Sequence, residues 1–72
     1  MIRHEYEIQI NRPDGMTRTY GCMWSLGSAV DRALDEHSND PDHVETIEIR
    51  RLVRDGKRLV RVEACGTMPY DF

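Results

Sequence analysis

The chain has no apolar segment long enough to cross a bilayer and no excess of positive charge. None of its hydrophobic stretches approaches the roughly 20 residues that a membrane helix needs, and its net charge is −3 over 72 residues. The N-terminus, MIRHEYEIQI, lacks the apolar centre of a signal peptide. We therefore expect a cytoplasmic protein with no membrane association and no bulk attraction to nucleic acid.

The cysteines and glycines form no cluster along the chain, which argues against several kinds of site. Only Cys22 and Cys65 are present, so we expect two free thiols rather than a disulfide framework. Gly21 and Gly27 stand alone, and no glycine-rich phosphate-binding loop occurs.

Metal and catalytic sites are disfavoured on the same grounds. The side chains from which a metal site could be built match no standard zinc or calcium spacing: they are His37, Asp40, Asp42 and His43. A chain of 72 residues also leaves little room for a walled pocket. We expect no catalytic residues, no metal and no cofactor.

The first 24 residues predict a β-hairpin. Apolar and polar residues alternate in HEYEIQI, residues 4–10, as in a strand with one buried face. In the NRPDG that follows, Pro13, Asp14 and Gly15 suit a three-residue loop with its glycine in the left-handed conformation. Pairing Arg12 with Met16 then places the apolar residues of the second strand on the core face: Met16, Tyr20, Cys22 and Trp24.

The next segment changes to helical spacing. Apolar residues recur every three or four positions in SLGSAVDRALDEHS. Ser25 is a typical N-cap, and Asn39 and Pro41 mark the end. We predict a helix over residues 26–38 whose core face comprises Leu26, Ala29, Val30, Ala33, Leu34 and His37.

Residues 44–65 predict a second hairpin around Asp55-Gly56, a dipeptide typical of two-residue turns. In that register Arg50 faces Arg61, and Leu52 faces Leu59 on the outer face. The expected core face comprises Ile47, Ile49, Val60, Val62 and Ala64. A β-bulge at residues 50–51 is an alternative, because it would turn Leu52 into the core.

The element order is therefore ββαββ, an α+β fold. We predict a four-stranded, mainly antiparallel sheet with one helix packed across one face. A right-handed crossover favours the β-grasp-like strand order 2-1-4-3, in which strands 1 and 4 are central and parallel; other orders stay open. Residues 1–66 form a single domain, and residues 67–72 a C-terminal tail.

Charge is segregated along the chain. Six of its ten basic residues lie between residues 49 and 64, while residues 31–48 hold seven acidic residues and one base. A checkerboard of opposite charges across the second hairpin explains part of this pattern without any ligand. The functional alternative makes two surfaces candidates for partner binding. On the helix these are Asp31, Asp35 and Glu36, and on the hairpin Arg50, Leu52, Arg54, Lys57, Arg58, Leu59 and Arg61.

Two function classes fit these surfaces. The first is a small non-enzymatic protein-binding module, or inhibitor, that contacts another protein or a protein–nucleic-acid complex through charged surfaces and is itself a monomer or a homodimer. The alternative is a nucleic-acid-binding module that uses the basic hairpin at residues 50–61. Direct nucleic-acid binding is the less favoured of the two, because the whole chain is acidic.

In length, acidic balance and sheet-plus-helix layout, the chain resembles the small phage-encoded inhibitors of bacterial defence, the anti-CRISPR proteins. The resemblance covers the overall format and no motif, so it assigns no functional residue. It implies a protein that blocks a nucleic-acid-handling complex through charged surfaces and without chemistry.

Overall fold

The computed structural model of the chain describes residues 1–68 and consists of one sheet with one helix on one of its faces. The elements in chain order are β1 (Ile2–Asn11), β2 (Thr17–Met23), α1 (Leu26–Asn39), β3 (Thr46–Asp55) and β4 (Arg58–Met68). The predicted α+β class and the ββαββ order are confirmed.

The strands lie in the order β2-β1-β3-β4, and every neighbouring pair is antiparallel. The favoured order placed the fourth strand beside the first, whereas β3 occupies that position. The right-handed crossover rule applies to strands that run parallel. The two strands that α1 joins, β2 and β3, run parallel and lie on either side of β1. The connection through α1 therefore passes over β1.

The core lies between α1 and one half of the sheet. Ala29 and Ala33 are fully buried, and their small side chains let the helix approach the sheet closely. The buried partners on the sheet and the following loop are Tyr6, Ile8, Ile10, Val44, Ile47, Ile49 and Met68. A helix of 14 residues spans about 21 Å, while the molecule is 41 Å long. Much of the sheet's length therefore extends beyond the helix.

The turn of the first hairpin has the predicted form. The Arg12 amide donates to the Met16 carbonyl at 2.9 Å, and the Gly15 amide donates to the Arg12 carbonyl at 3.0 Å. Gly15 has a φ of 88°, in the left-handed region. The Asp14 carboxylate accepts from the Met16 amide, which holds the loop closed.

Farther from the turn, the predicted faces of β2 are wrong. Ile8 pairs with Tyr20 as expected, but Tyr6 pairs with Met23 instead of Cys22. An extra residue in β2 causes this shift, and Cys22 adopts a φ of 65° there. Because a bulge reverses which residues face the core, Cys22 is exposed and Trp24 is 71% exposed. Met16, also expected in the core, is exposed beside the turn.

The helix begins and ends close to the predicted positions. The Ser25 hydroxyl accepts a hydrogen bond from the Ser28 amide at 3.1 Å, which confirms it as the N-cap. Of the predicted core face, only the two alanines are fully buried. Val30 packs partly against the core, but Leu26 and Leu34 are more than one third exposed, because the narrow sheet leaves the flanks of the helix open.

The second hairpin differs from its predicted register in two ways. Asp55 pairs with Arg58, so the loop is Gly56-Lys57, one residue later than expected. Bulges in β4 then add residues 60 and 65 between successive pairs. The first bulge turns Val62 and Ala64 to the outer face, where both are exposed, and the second returns Met68 to the core.

Leu52 is buried, although β3 contains no bulge. The pairing of β1 with β3 is continuous over ten residue pairs, so Leu52 keeps its position on the outer face. It lies between Glu5 of β1 and Val62 of β4 rather than opposite Leu59. The alternative of a bulge in β3 is therefore wrong.

β4 continues through Met68, two residues past the predicted end of the domain, because Met68 is buried opposite Ile47. The remainder of the predicted tail, residues 69–72, lies outside the described residues.

Candidate interaction surface

The part of the sheet beyond the helix forms a separate feature of the molecule. We call it the hairpin arm and define it as residues 2–5 of β1, 52–55 of β3 and 56–62, which include the turn and the start of β4. The candidate residues of the second hairpin lie in this arm, apart from Arg50, which adjoins it.

A buried carboxylate organises the outer face of the arm. Glu5 is only 5% exposed. One of its oxygens lies 3.2 Å from the Arg3 guanidinium, and the other accepts a hydrogen bond from Arg54 at 3.1 Å. Arg54 also donates to the Lys57 carbonyl at 3.3 Å, which ties the turn to the sheet. The charge of Arg54 is therefore already neutralised by a carboxylate within the chain.

Arg50 is neutralised in the same way. Its guanidinium lies 3.1 Å from a Glu48 oxygen and 3.7 Å from a Glu7 oxygen. The predicted direct opposition of Arg50 and Arg61 is wrong, because the displaced turn and the bulge at residue 60 place Ala64 opposite Arg50. Opposite charges do alternate on this face, but the partners come mainly from β1 and from β3 itself.

Arg51 and Arg61 share a carboxylate on the other face of the sheet. Glu63 lies 3.4 Å from Arg51 and 3.3 Å from Arg61. The hydrogen bond from Arg61 holds the pKa of the Glu63 carboxyl below its ordinary value. The Arg51 guanidinium also lies 5.5 Å from the centroid of the Tyr6 ring and donates to its hydroxyl at 3.2 Å, and this hydrogen bond raises the pKa of Arg51.

The tip of the arm holds the remaining positive charge. Lys57 and Arg58 are exposed, and neither has an ion-pair partner among residues 1–68. Asp55, the nearest acid in the sequence, pairs instead with the N-terminal ammonium group at 3.1 Å. Of the six bases in residues 49–64, four form ion pairs within the described part of the chain, and Lys57 and Arg58 do not.

Exposed aliphatic side chains lie along the same arm. Leu59, a predicted site residue, is 46% exposed, and three residues that the sequence did not identify share its exposure: Ile2 at 57%, Val60 at 41% and Val62 at 50%. Leu52 is buried and does not contribute. Val60 and Val62 are exposed because of the bulge at residue 60. No local sequence motif predicts that bulge, so the sequence could not identify these two residues.

The acidic candidates lie on α1, apart from the arm. Asp31 and Asp35 are exposed one turn apart. Glu36 is only partly exposed and accepts from Arg32 at 2.9 Å, so its charge is already paired. Trp24, just before the helix, is a large exposed aromatic that the sequence had placed in the core.

A shallow cleft lies between the first hairpin and the end of α1. Its walls include Arg12, Arg18, Tyr20, Glu36 and His43. Within residues 1–68, no group of three or more histidine, cysteine or acidic residues is arranged to hold a metal ion.

Asp40 and His43, from the disfavoured metal cluster, bond to each other at 2.6 Å. Both cysteines are free thiols, as expected. No helix in the described part of the chain is long and apolar enough to span a membrane.

Comparison of the chain with protein-family models, with curated proteins and with solved structures finds no match.

Proposed function

We propose that this chain is a small, non-enzymatic protein-binding module and that the hairpin arm is its binding surface. The observation that carries the proposal is a run of exposed aliphatic residues at the start of β4 beside two cations that form no ion pair within residues 1–68. Leu59 and Val60 expose apolar surface there, directly after Lys57 and Arg58 in the chain. Interface centres combine aliphatic area with arginine in this way, whereas solvated surfaces scatter their apolar residues singly.

The distribution of ion pairs favours a protein over a nucleic acid as the partner. A nucleic-acid site needs several cations free to replace counterions around the phosphates. In the second hairpin, Arg50, Arg51, Arg54 and Arg61 each already bind a carboxylate. The net charge of −3 also opposes approach to a polyanion. Two cations beside apolar surface suit a protein patch that is itself apolar with an acidic rim.

The acidic face of α1 bears on the kind of partner. Asp31 and Asp35 present carboxylates on the solvent side of α1, with the cationic tip elsewhere on the molecule. A surface of this kind is suited to the basic groove of a nucleic-acid-handling complex, where it would compete with the natural ligand. We therefore propose inhibition by occupation, without chemistry, as the mode of action.

Matched substitutions test the arm directly. Leu59 in the arm and Leu26 at the start of α1 are both exposed leucines, at 46% and 38%. Tagged protein carrying Leu59→Ser or Arg58→Glu is expected to lose a partner, captured from nuclease-treated lysate, that the parent retains. Leu26→Ser and Arg18→Glu, which make the same changes outside the arm and away from Asp31 and Asp35, should keep it. Dissociation constants with the purified partner should rise about tenfold or more for the arm variants.

Two results would overturn the proposal. One is equal loss of the partner with the two control variants, which would place the site outside the arm. The other is a shift of DNA or RNA in a gel at about 0.15 M salt that Lys57→Glu with Arg58→Glu abolishes. Inhibition is tested separately: the parent should reduce nucleic-acid binding by the purified partner, and Asp31→Lys with Asp35→Lys should not.

A further inference from the structure

β4 is an edge strand, and one half of its backbone hydrogen-bonding groups faces away from the sheet. The hydrogen bonds between β1 and β3 show in which direction these backbone groups point. The carbonyls of Met1 and Asn11 both accept from the β3 side, from Gly56 at 3.2 Å and Glu45 at 2.8 Å. Odd-numbered residues of β1 therefore point toward β3, and by alternation the odd-numbered residues of β3 point toward β4.

Between the two bulges, residues 61–64 of β4 form a regular stretch paired with residues 53–50 of β3. Arg61 and Glu63 direct their backbone groups to β3, because they pair with Val53 and Arg51. Val62 and Ala64 direct theirs outward. A short segment of extended backbone thus has no partner strand within residues 1–68 and is open to a further strand.

The side chains of this stretch are complementary to themselves. Arg61 and Glu63 carry opposite charges and lie on the same face of the strand, and Val62 between them lies on the other face. An antiparallel copy with Val62 at a twofold axis brings Arg61 of each chain opposite Glu63 of the other, and Val62 opposite its own mate. The exposed Val60 then lies beside Ala64 of the second copy.

We propose that two copies of this chain associate through β4, with the strands antiparallel and Val62 at the twofold axis. The pairing adds two Arg61–Glu63 contacts across the interface to the Arg61–Glu63 pair already present within each chain, and it covers the exposed side chain of Val62. The bulges at residues 60 and 65 interrupt the strand on either side, so pairing is confined to a short segment. The interface is isologous, and it closes as a dimer instead of continuing into a fibre.

The other edge strand suits self-association less well. The regular part of β2, Thr17 to Tyr20, carries Arg18 as its only charge. An antiparallel copy therefore brings no opposite charge to it. The dimer also does not depend on the proposed function: Lys57, Arg58 and Leu59 lie outside the paired stretch, and Val60 is the residue that the two surfaces share.

A pair of charge reversals tests the dimer. The parent should sediment with the mass of two chains at about 100 μM and dissociate on dilution, since so short an interface supports only weak association. Arg61→Glu and Glu63→Lys should each weaken self-association about tenfold or more, because each turns two attractive contacts into repulsive ones. Arg58→Glu, on the same strand but outside the stretch, should leave the dimer intact.

Mixing the two variants separates a direct contact from a folding defect. In a one-to-one mixture the glutamate introduced at position 61 of one chain faces the lysine introduced at position 63 of the other. The second contact joins native Glu63 to native Arg61. A heterodimer should therefore form with an affinity within a few-fold of the parent's. A parent that stays monomeric at all concentrations, a dimer that survives either reversal, or two folded monomeric variants that fail to associate when mixed would each overturn the proposal.

Discussion

At the scale of single residues, backbone conformation distinguishes two glycines of the first hairpin. Gly15 has a φ of 88°, whereas Gly21 lies outside the left-handed region. A Cβ atom added at either position would meet no atom within 4 Å. Any difference between the two alanine variants therefore reports conformation rather than crowding.

Gly15→Ala should lower the free energy of unfolding by about 1–2 kcal/mol, because an L-residue is strained in that conformation. Gly21→Ala should leave it unchanged or raise it by up to about 1 kcal/mol, since glycine weakens a strand. Urea denaturation of both variants measures the difference. Equal midpoints would contradict the turn geometry.

Glu63 offers a second test at this scale. Its pKa is lowered chiefly by the hydrogen bond from Arg61, with a further contribution from Arg51. A carboxyl whose pKa is lower in the folded state stabilises the fold above its unfolded pKa, and this contribution is lost as the pH falls through the folded pKa.

We expect an NMR titration of the Glu63 carboxyl carbon to have a midpoint below the ordinary glutamate value of about 4.3. Arg61→Gln should raise the midpoint, whereas Arg58→Gln should not move it, because Arg58 makes no ion pair within residues 1–68. An unchanged midpoint in Arg61→Gln would show that the contact does not persist in solution.

At the scale of elements, the start of α1 depends on one side chain. Ser25 accepts from the Ser28 amide, one of the donors that a helix start leaves without an intrahelical partner. Ser25→Ala should lower the free energy of unfolding by about 1 kcal/mol, measured by thermal or urea denaturation. Ser38→Ala, the same change in the last turn, should have an effect below about 0.5 kcal/mol. A smaller loss at Ser25 than at Ser38 would contradict the capping role.

The arm depends on the pairing of Arg54 with the buried Glu5. Arg54→Met keeps the length of the side chain but removes one of the two cations that satisfy that carboxylate. The free energy of unfolding should fall by about 1–3 kcal/mol, because a buried charge loses a partner.

Arg58→Met provides the matched control for this substitution. Arg58 is exposed and makes no ion pair within the described residues, so the change in stability should stay within about 0.5 kcal/mol. Urea denaturation compares the two variants. Equal stabilities would show that Arg54, like Arg58, is merely a solvated surface charge.

At the scale of the whole molecule, the sheet is supported unevenly along its length. Tyr6, Ile8 and Ile49 pack in the core beneath the helix, whereas the arm projects beyond it in a molecule 41 Å long. Local opening costs less free energy where fewer apolar contacts are lost. The end of the molecule that carries the proposed interaction surface is therefore also the end that opens most readily.

Hydrogen exchange should reveal this gradient. The amides of Arg58 and Arg61 bond to β3 within the arm, and those of Ile8 and Ile49 bond within the core half of the sheet. We expect the arm amides to exchange at least tenfold faster under native conditions. Equal protection of all four amides would show that the sheet opens only as a single unit.

Much of this fold could be predicted from local sequence. The Pro13-Asp14-Gly15 loop, the Ser25 cap and the alternation in residues 4–10 each depend on residues that lie close together in the chain. Local preferences of this kind act before any tertiary contact forms, which is why the order of the elements and their type were predictable.

Much of the candidate site was not predictable in this way. Leu59, Lys57 and Arg58 were identified from composition and are exposed, but Arg50 and Arg54 bind carboxylates of β1. Those partners lie more than 40 residues away in sequence, and they meet only because β3 lies beside β1.

Local sequence determined the type and order of the elements, ββαββ, and the N-cap of the helix. The tertiary structure alone decided the strand order and the placement of the bulges in β2 and β4. One inserted residue in a strand reverses every side chain beyond it. Trp24 and Val62 are exposed for this reason, since the packing of distant strands, and not their local pattern, sets which way they face.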